Sequence, residues 1–145
     1  MWPVCVKYLN YLKGRENANK TVTYGIGDWV AYRTITPTDY TTTCFYYFDN
    51  KTMAEFARIL GKDATVYEQK AEYLKQLIMK KYFNVERGVF SNGSQAAQGV
   101  ALYLGIVPDE YAQRVADNLS QMIKDNGNAL DCGMLGSKTI LRVLC

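Results

Sequence analysis

Histidine is absent from this 145-residue chain, and its four cysteines, Cys5, Cys44, Cys132 and Cys145, are scattered with no C-x-x-C pair. A zinc site or a Cys–His nucleophile is therefore excluded, and the cysteines read as buried or free thiols. No apolar run approaches the roughly 18 residues of a membrane span, so no membrane partner is expected. An excess of one charge is missing too. The 17 basic and 14 acidic side chains are spread along the chain and leave a net charge of +3, too little for a nucleic-acid footprint. Low-complexity tracts and charge blocks are lacking, which argues against disorder. Nothing points to a metal or an organic cofactor. The opening Met1-Trp2-Pro3-Val4-Cys5 has neither the basic start nor the small-residue cleavage site of a secretion signal, so no compartment is assigned. Without one, the Asn-x-Ser/Thr triplets at Asn19, Asn50 and Asn92 carry little weight.

What is present suits one ordinary domain over residues 1–145, with 48% apolar and 21% charged residues. Tyrosine is plentiful, 12 residues against two tryptophans and five phenylalanines. Such amphipathic rings suit helix packing with one wet edge, and they also suit carbohydrate surfaces.

The hydropathy pattern is helical throughout. Val4, Tyr8, Tyr11 and Leu12 mark a short helix stopped at Gly14. Arg15 to Ile35 has no helical period and exceeds an ordinary link, which makes it a candidate functional loop. Thr36 as N-cap, Pro37 at the first helical position and Asp39 three after the cap predict a helix to Leu60. Its Cys44-Phe45-Tyr46-Tyr47-Phe48 run is apolar on every side. Asp63 caps an amphipathic helix to about Phe83, on which Glu68 and Glu72 read as a solvated face. Val85 to Gly93 is turn-rich. Ser94 caps an uncharged helix to Leu104, Pro108-Asp109-Glu110 opens another amphipathic one to about 126, and Ser137 caps a final apolar segment, Thr139 to Leu144.

Helices apolar all round (37–60, 94–105, 137 onward) thus alternate with helices apolar on one side (63–83, 108–126). This predicts an all-α fold of antiparallel hairpins in two layers. Every long outer-to-inner link then falls at one end of the stack, which gathers Asp28 and Trp29, Asn92 to Gln95, and Asp131 to Ser137 on one rim. In Tyr24-Gly25-Ile26-Gly27-Asp28-Trp29, two glycines place a carboxylate beside a large ring. That pairing suits a sugar: the carboxylate accepts hydroxyl hydrogen bonds, and the ring faces C–H surface. A Gly-x-Gly turn before a core tryptophan is equally a structural arrangement.

These residues, with the aromatic run at 44–48, Asn92-Gly93-Ser94-Gln95, Leu102-Tyr103-Leu104-Gly105-Ile106-Val107-Pro108 and Gly133-Met134-Leu135-Gly136-Ser137, resemble the catalytic domain of family 78 α-L-rhamnosidases. The chain departs from that pattern at Asn128-Ala129-Leu130-Asp131-Cys132. The resemblance implies about half of a six-hairpin α/α barrel from a bacterial hydrolase that releases terminal α-L-rhamnose with inversion. It carries over Asp28, Trp29 and Gln95 as substrate-binding residues. It places the general acid upstream and the general base downstream of the matched part, so no catalytic residue is assigned here. Half a ring leaves apolar inner faces open. The chain is therefore expected to be a piece of a larger hydrolase, to self-associate or dock on the missing half, and to be inactive alone. The alternatives are a stand-alone helical-hairpin module that binds protein, or another α/α-barrel glycosidase or lyase.

Overall fold

Six helices and one minimal hairpin account for the regular structure of the computed structural model, which describes residues 1–145. In chain order they are α1 (Trp2–Gly14), α2 (Thr38–Ile59), α3 (Thr65–Tyr82), β1 (Phe83–Asn84), β2 (Val89–Phe90), α4 (Gln95–Tyr103), α5 (Asp109–Asp125) and α6 (Met134–Leu144).

Burial follows the two-layer expectation for the first two inner helices. In α4 every residue from Gln95 to Ala101 is buried, and α2 buries Tyr40, Thr41, Thr43, Cys44, Tyr46 and Tyr47 in its first half. The main core joins these to Leu74 and Ile78 of α3 and Val115 of α5, so α3 and α5 each bury one stripe. Glu68 and Glu72 stay on the wet side, paired with Arg58 and Gln76. Buried polar groups are satisfied locally: Tyr40 donates to the Ala97 carbonyl, and Gln98 bonds Phe90 N–H and the carbonyls of Phe90 and Ser94. No helix is long and apolar enough to cross a membrane. All four cysteines are free.

Several local expectations are corrected. On α1 the buried residues are Leu9 and Leu12, while Val4, Tyr8 and Tyr11 are exposed. A short helix offers two apolar stripes, and packing against α2 selects one. Pro37, not Thr36, is the N-cap of α2, and Pro108 likewise caps α5 instead of starting it. The Thr36 hydroxyl instead pairs with that of Ser94, and Asp39 accepts from Tyr82 and Lys81. The turn-rich stretch contains the β1–β2 hairpin, whose Phe83 and Phe90 rings lie 4.6 Å apart.

Helix α6 begins one turn earlier than expected, so Ser137 sits inside it and donates to the Gly133 carbonyl. It is also not buried all round. Gly136, Thr139 and Ile140 face α4, and Lys138, Leu141 and Arg142 are exposed. Its main helix partner in the chain is α4, and its outer side is open.

Candidate functional site

The three loops expected on one rim do meet, and side-chain hydrogen bonds stitch them together. The loop from Arg15 to Pro37 reaches the N-terminus of α4 where Asn92 donates to the Ile35 carbonyl (2.9 Å) and Thr36 meets Ser94 (2.7 Å). Ser94 in turn accepts from Ala97 N–H at 3.2 Å and caps α4, as expected.

Asp28 is 6% exposed and joins that loop to α6. Its Oδ2 accepts from Gly133 N–H at 2.7 Å and its Oδ1 from Gly136 N–H at 2.9 Å. Met134 N–H adds a third bond, to the Trp29 carbonyl, at 2.9 Å. The free N–H groups at the start of α6 form a natural anion site, and Asp28 is the anion that occupies it. The glycines explain how so close a fit is possible. Gly27 has φ +69°, and a Cβ at Gly133 would overlap the carbonyl oxygens of Asp28 and Trp29.

Gln95 is 5% exposed and makes the corresponding link to the 128–136 loop. Its Oε1 accepts from Asp131 N–H at 2.9 Å, and its Nε2 reaches the carbonyls of Ala129 at 3.3 Å and Met122 at 3.4 Å. Asp131 then accepts from the backbone N–H groups of Arg33 and Thr34 and from the Thr34 hydroxyl (2.6 Å). Chiefly through that hydroxyl bond, the Asp131 carboxyl is held below its ordinary value. Burial pushes the neighbouring Cys132 thiol up, so it stays protonated and inert. Asp131 was legible only as one residue of a polar loop. Its partners lie nearly a hundred positions away, and no local spacing signals them.

Trp29 is different from its neighbours. With its backbone fixed, its side chain is 58% exposed. On the same rim a cleft of about 350 Å³ is lined mostly by polar residues, among them Thr34, Asn92, Gln95, Asp125 and Asp131. An apolar ring face and a polar cleft on one rim match the two faces of a sugar ring. Acid–base hydrolysis of a glycoside would need two available carboxyl groups across the scissile bond. Here the Asp28 and Asp131 carboxylates are already engaged by protein donors. No three His, Cys, Asp or Glu side chains come together as a metal site.

The model of the bacterial α-L-rhamnosidase six-hairpin glycosidase domain matches residues 1–145. An α-L-rhamnosidase of Streptomyces avermitilis is 28% identical over 137 residues, covering 94% of this chain and 13% of the relative. Among solved structures, the S. avermitilis α-L-rhamnosidase complexed with L-rhamnose superposes with a TM-score of 0.91 at 27% identity, over 98% of this chain and 14% of that one. The α-L-rhamnosidase from Dictyoglumus thermophilum gives 0.88 at 28% identity, over 99% and 17%. The chain therefore spans roughly a seventh of the length of these relatives, and its hairpins are those of their helical barrel.

Proposed function

From the premise that the chain belongs to the bacterial α-L-rhamnosidase six-hairpin glycosidase family, we propose that it supplies one wall of a rhamnose pocket in an inverting glycoside hydrolase. The observation that supports this reading is the rim itself: Trp29 stands exposed on a loop fixed by Asp28, at the same end of the helix stack as the cleft lined by Gln95. In this reading Trp29 packs on the C–H face of the sugar and Gln95 borders its hydroxyls. Asp28 holds the loop that presents both. The general acid and base come from other parts of the parent hydrolase, so the chain alone binds and does not turn over.

The assay follows from the tryptophan count. Trp2 packs edge-on against Tyr67, so Trp2→Phe leaves Trp29 as the single reporter. L-Rhamnose should shift its emission saturably, with a dissociation constant on the order of millimolar. Unchanged emission to high sugar concentration would refute the pocket. Release of phenol from an aryl α-L-rhamnoside by the chain alone would refute the assignment of both catalytic groups elsewhere.

The partner surface is proposed on the same basis. Leu141 and Leu144 of α6 and Val4 of α1 are exposed at the two ends of the helix array. Faces of this kind associate with a second copy or with the remaining hairpins of the barrel. Light scattering that shows a monomer at all concentrations would exclude self-association.

A further inference from the structure

Val30 follows Trp29 on the rim loop with φ +61°, in the left-handed region. A β-branched residue is seldom found there, because its Cβ and branches crowd the backbone. Burial does not explain it: Val30 is 68% exposed, so no packing offsets the strained backbone. Its N–H donates to no backbone group, so no such bond selects the conformation either. A strained residue of this kind persists where the structure around it over-determines it.

Two anchors do so here. Before Val30, the Trp29 carbonyl accepts from Met134 N–H and the Asp28 carboxylate from Gly133 and Gly136 N–H. After it, the N–H groups of Arg33 and Thr34 donate to Asp131. Both sets of partners belong to one short stretch, Asp131 to Gly136. The chain therefore has only Val30, Ala31 and Tyr32 in which to leave that stretch and return to it. Of these, Val30 alone has a positive φ. Relaxing it to extended backbone would swing φ by roughly 180° and carry the chain off one anchor or the other.

We propose that Val30 is a positioning residue for Trp29: its left-handed backbone closes the two anchors into one turn and so fixes where the exposed ring stands on the rim. This role rests on the rhamnose reading only for the choice of sugar. Valine makes the turn conditional, since it holds only while both anchors are bonded. Glycine would hold the same φ without that strain.

Two substitutions in the Trp2→Phe background separate backbone from side chain. Val30→Pro fixes φ at about −65° and forbids the turn, and it removes no backbone hydrogen bond. Val30→Gly permits the turn and removes the strain. Both are read by circular dichroism, by the backbone amides of Thr34 and Gly133, one on each anchor, and by Trp29 emission titrated with L-rhamnose. Val30→Pro should keep its helical signal, shift at least one of those amides, change the Trp29 emission and weaken L-rhamnose binding by about tenfold or more. Val30→Gly should keep both amides in place, hold the affinity within about twofold of the parent and raise the urea midpoint by about 0.3 M.

Unmoved amides in Val30→Pro overturn the role, and so do moved amides with parental affinity. Val30→Gly failing alongside Val30→Pro also overturns it, because the side chain and not the backbone would then matter. If Val30→Pro loses its helical signal, the Val30→Gly midpoint decides: a rise supports the strained turn, and no change or a fall overturns it. A parent that shows no saturable emission change with L-rhamnose removes the rhamnose reading. The positioning of Trp29 then stands if Val30→Pro shifts the anchor amides and the emission together, and falls if it does not.

Discussion

Asp28→Ala tests whether the rim is assembled as described. The substitution removes two bonds to a carboxylate, at 2.7 and 2.9 Å, from amides at the start of α6 that have no helical partner of their own. A hydrogen bond to a charged group contributes about 1.5–3 kcal/mol, and unpaired buried donors add to the loss, while the variant recovers the cost of burying the carboxylate. Taking the low figure for each bond gives a loss of about 3 kcal/mol, somewhat above the roughly 2 kcal/mol upper range for removing an ordinary helix cap. With a denaturant slope of about 2 kcal/mol per molar, the urea midpoint should fall by about 1.5 M. Asp28→Asn keeps the shape and one acceptor oxygen, so it should lose roughly half as much. The Trp29 emission of a Trp2→Phe background should change in step, because the same bonds hold that loop. An Asp28→Ala midpoint within about 0.3 M of the parent would refute the claim that this carboxylate ties the loop to α6.

Three further outcomes follow from the same geometry. Gly133→Ala should cost about 1–3 kcal/mol through overlap with the Asp28 and Trp29 carbonyls. Combined with Asp28→Ala in a double-mutant cycle it should be markedly less than additive, because both changes undock one loop. Burial pushes the Asp49 carboxyl up to about 6, against the lowering effect of the Tyr8 hydroxyl. Its folded value lies above its unfolded one, so stability falls as pH rises from about 4 to about 6 and stays lower beyond. Asp49→Asn should therefore stabilise the chain by about 1–2 kcal/mol at pH 7 and by little at pH 4, measured by urea unfolding at both. Asp39 has the opposite sign. Its partial burial would raise it, but bonds from Tyr82 and Lys81 outweigh this and hold it below its ordinary value of 3.8. The stability it contributes is present above that value and is lost as pH falls through the folded one, so Asp39→Asn should flatten the acid limb of the unfolding curve.

Much of the fold was readable because helix period, caps and charge are local. The uncharged Ser94–Gly105 run could only be interior, and Ser94 could be named as a cap from its position alone. The wet face of α3 was equally plain from its charges. The alternation of buried and half-buried helices also implied that Asp28, Gln95 and Asp131 share one end of the stack, since antiparallel neighbours leave no other place for the long loops. What those residues bond was not readable. A carboxylate beside tryptophan looks the same in a sequence whether its oxygens face a sugar or two amides more than a hundred positions away. Only the approach of Gly133 decided for the amides. Likewise α1 offered two apolar stripes, and α6 looked buried all round; contact with α2 chose one stripe, and the absence of a neighbour beyond α4 exposed half of the other helix. Pattern along the chain set which segments are helical and which ends they share, because those depend on residues three or four apart. Pairings between distant segments decided which polar groups are used up, as at Asp28, Gln95 and Asp131, and which side chains, such as Trp29, stay exposed.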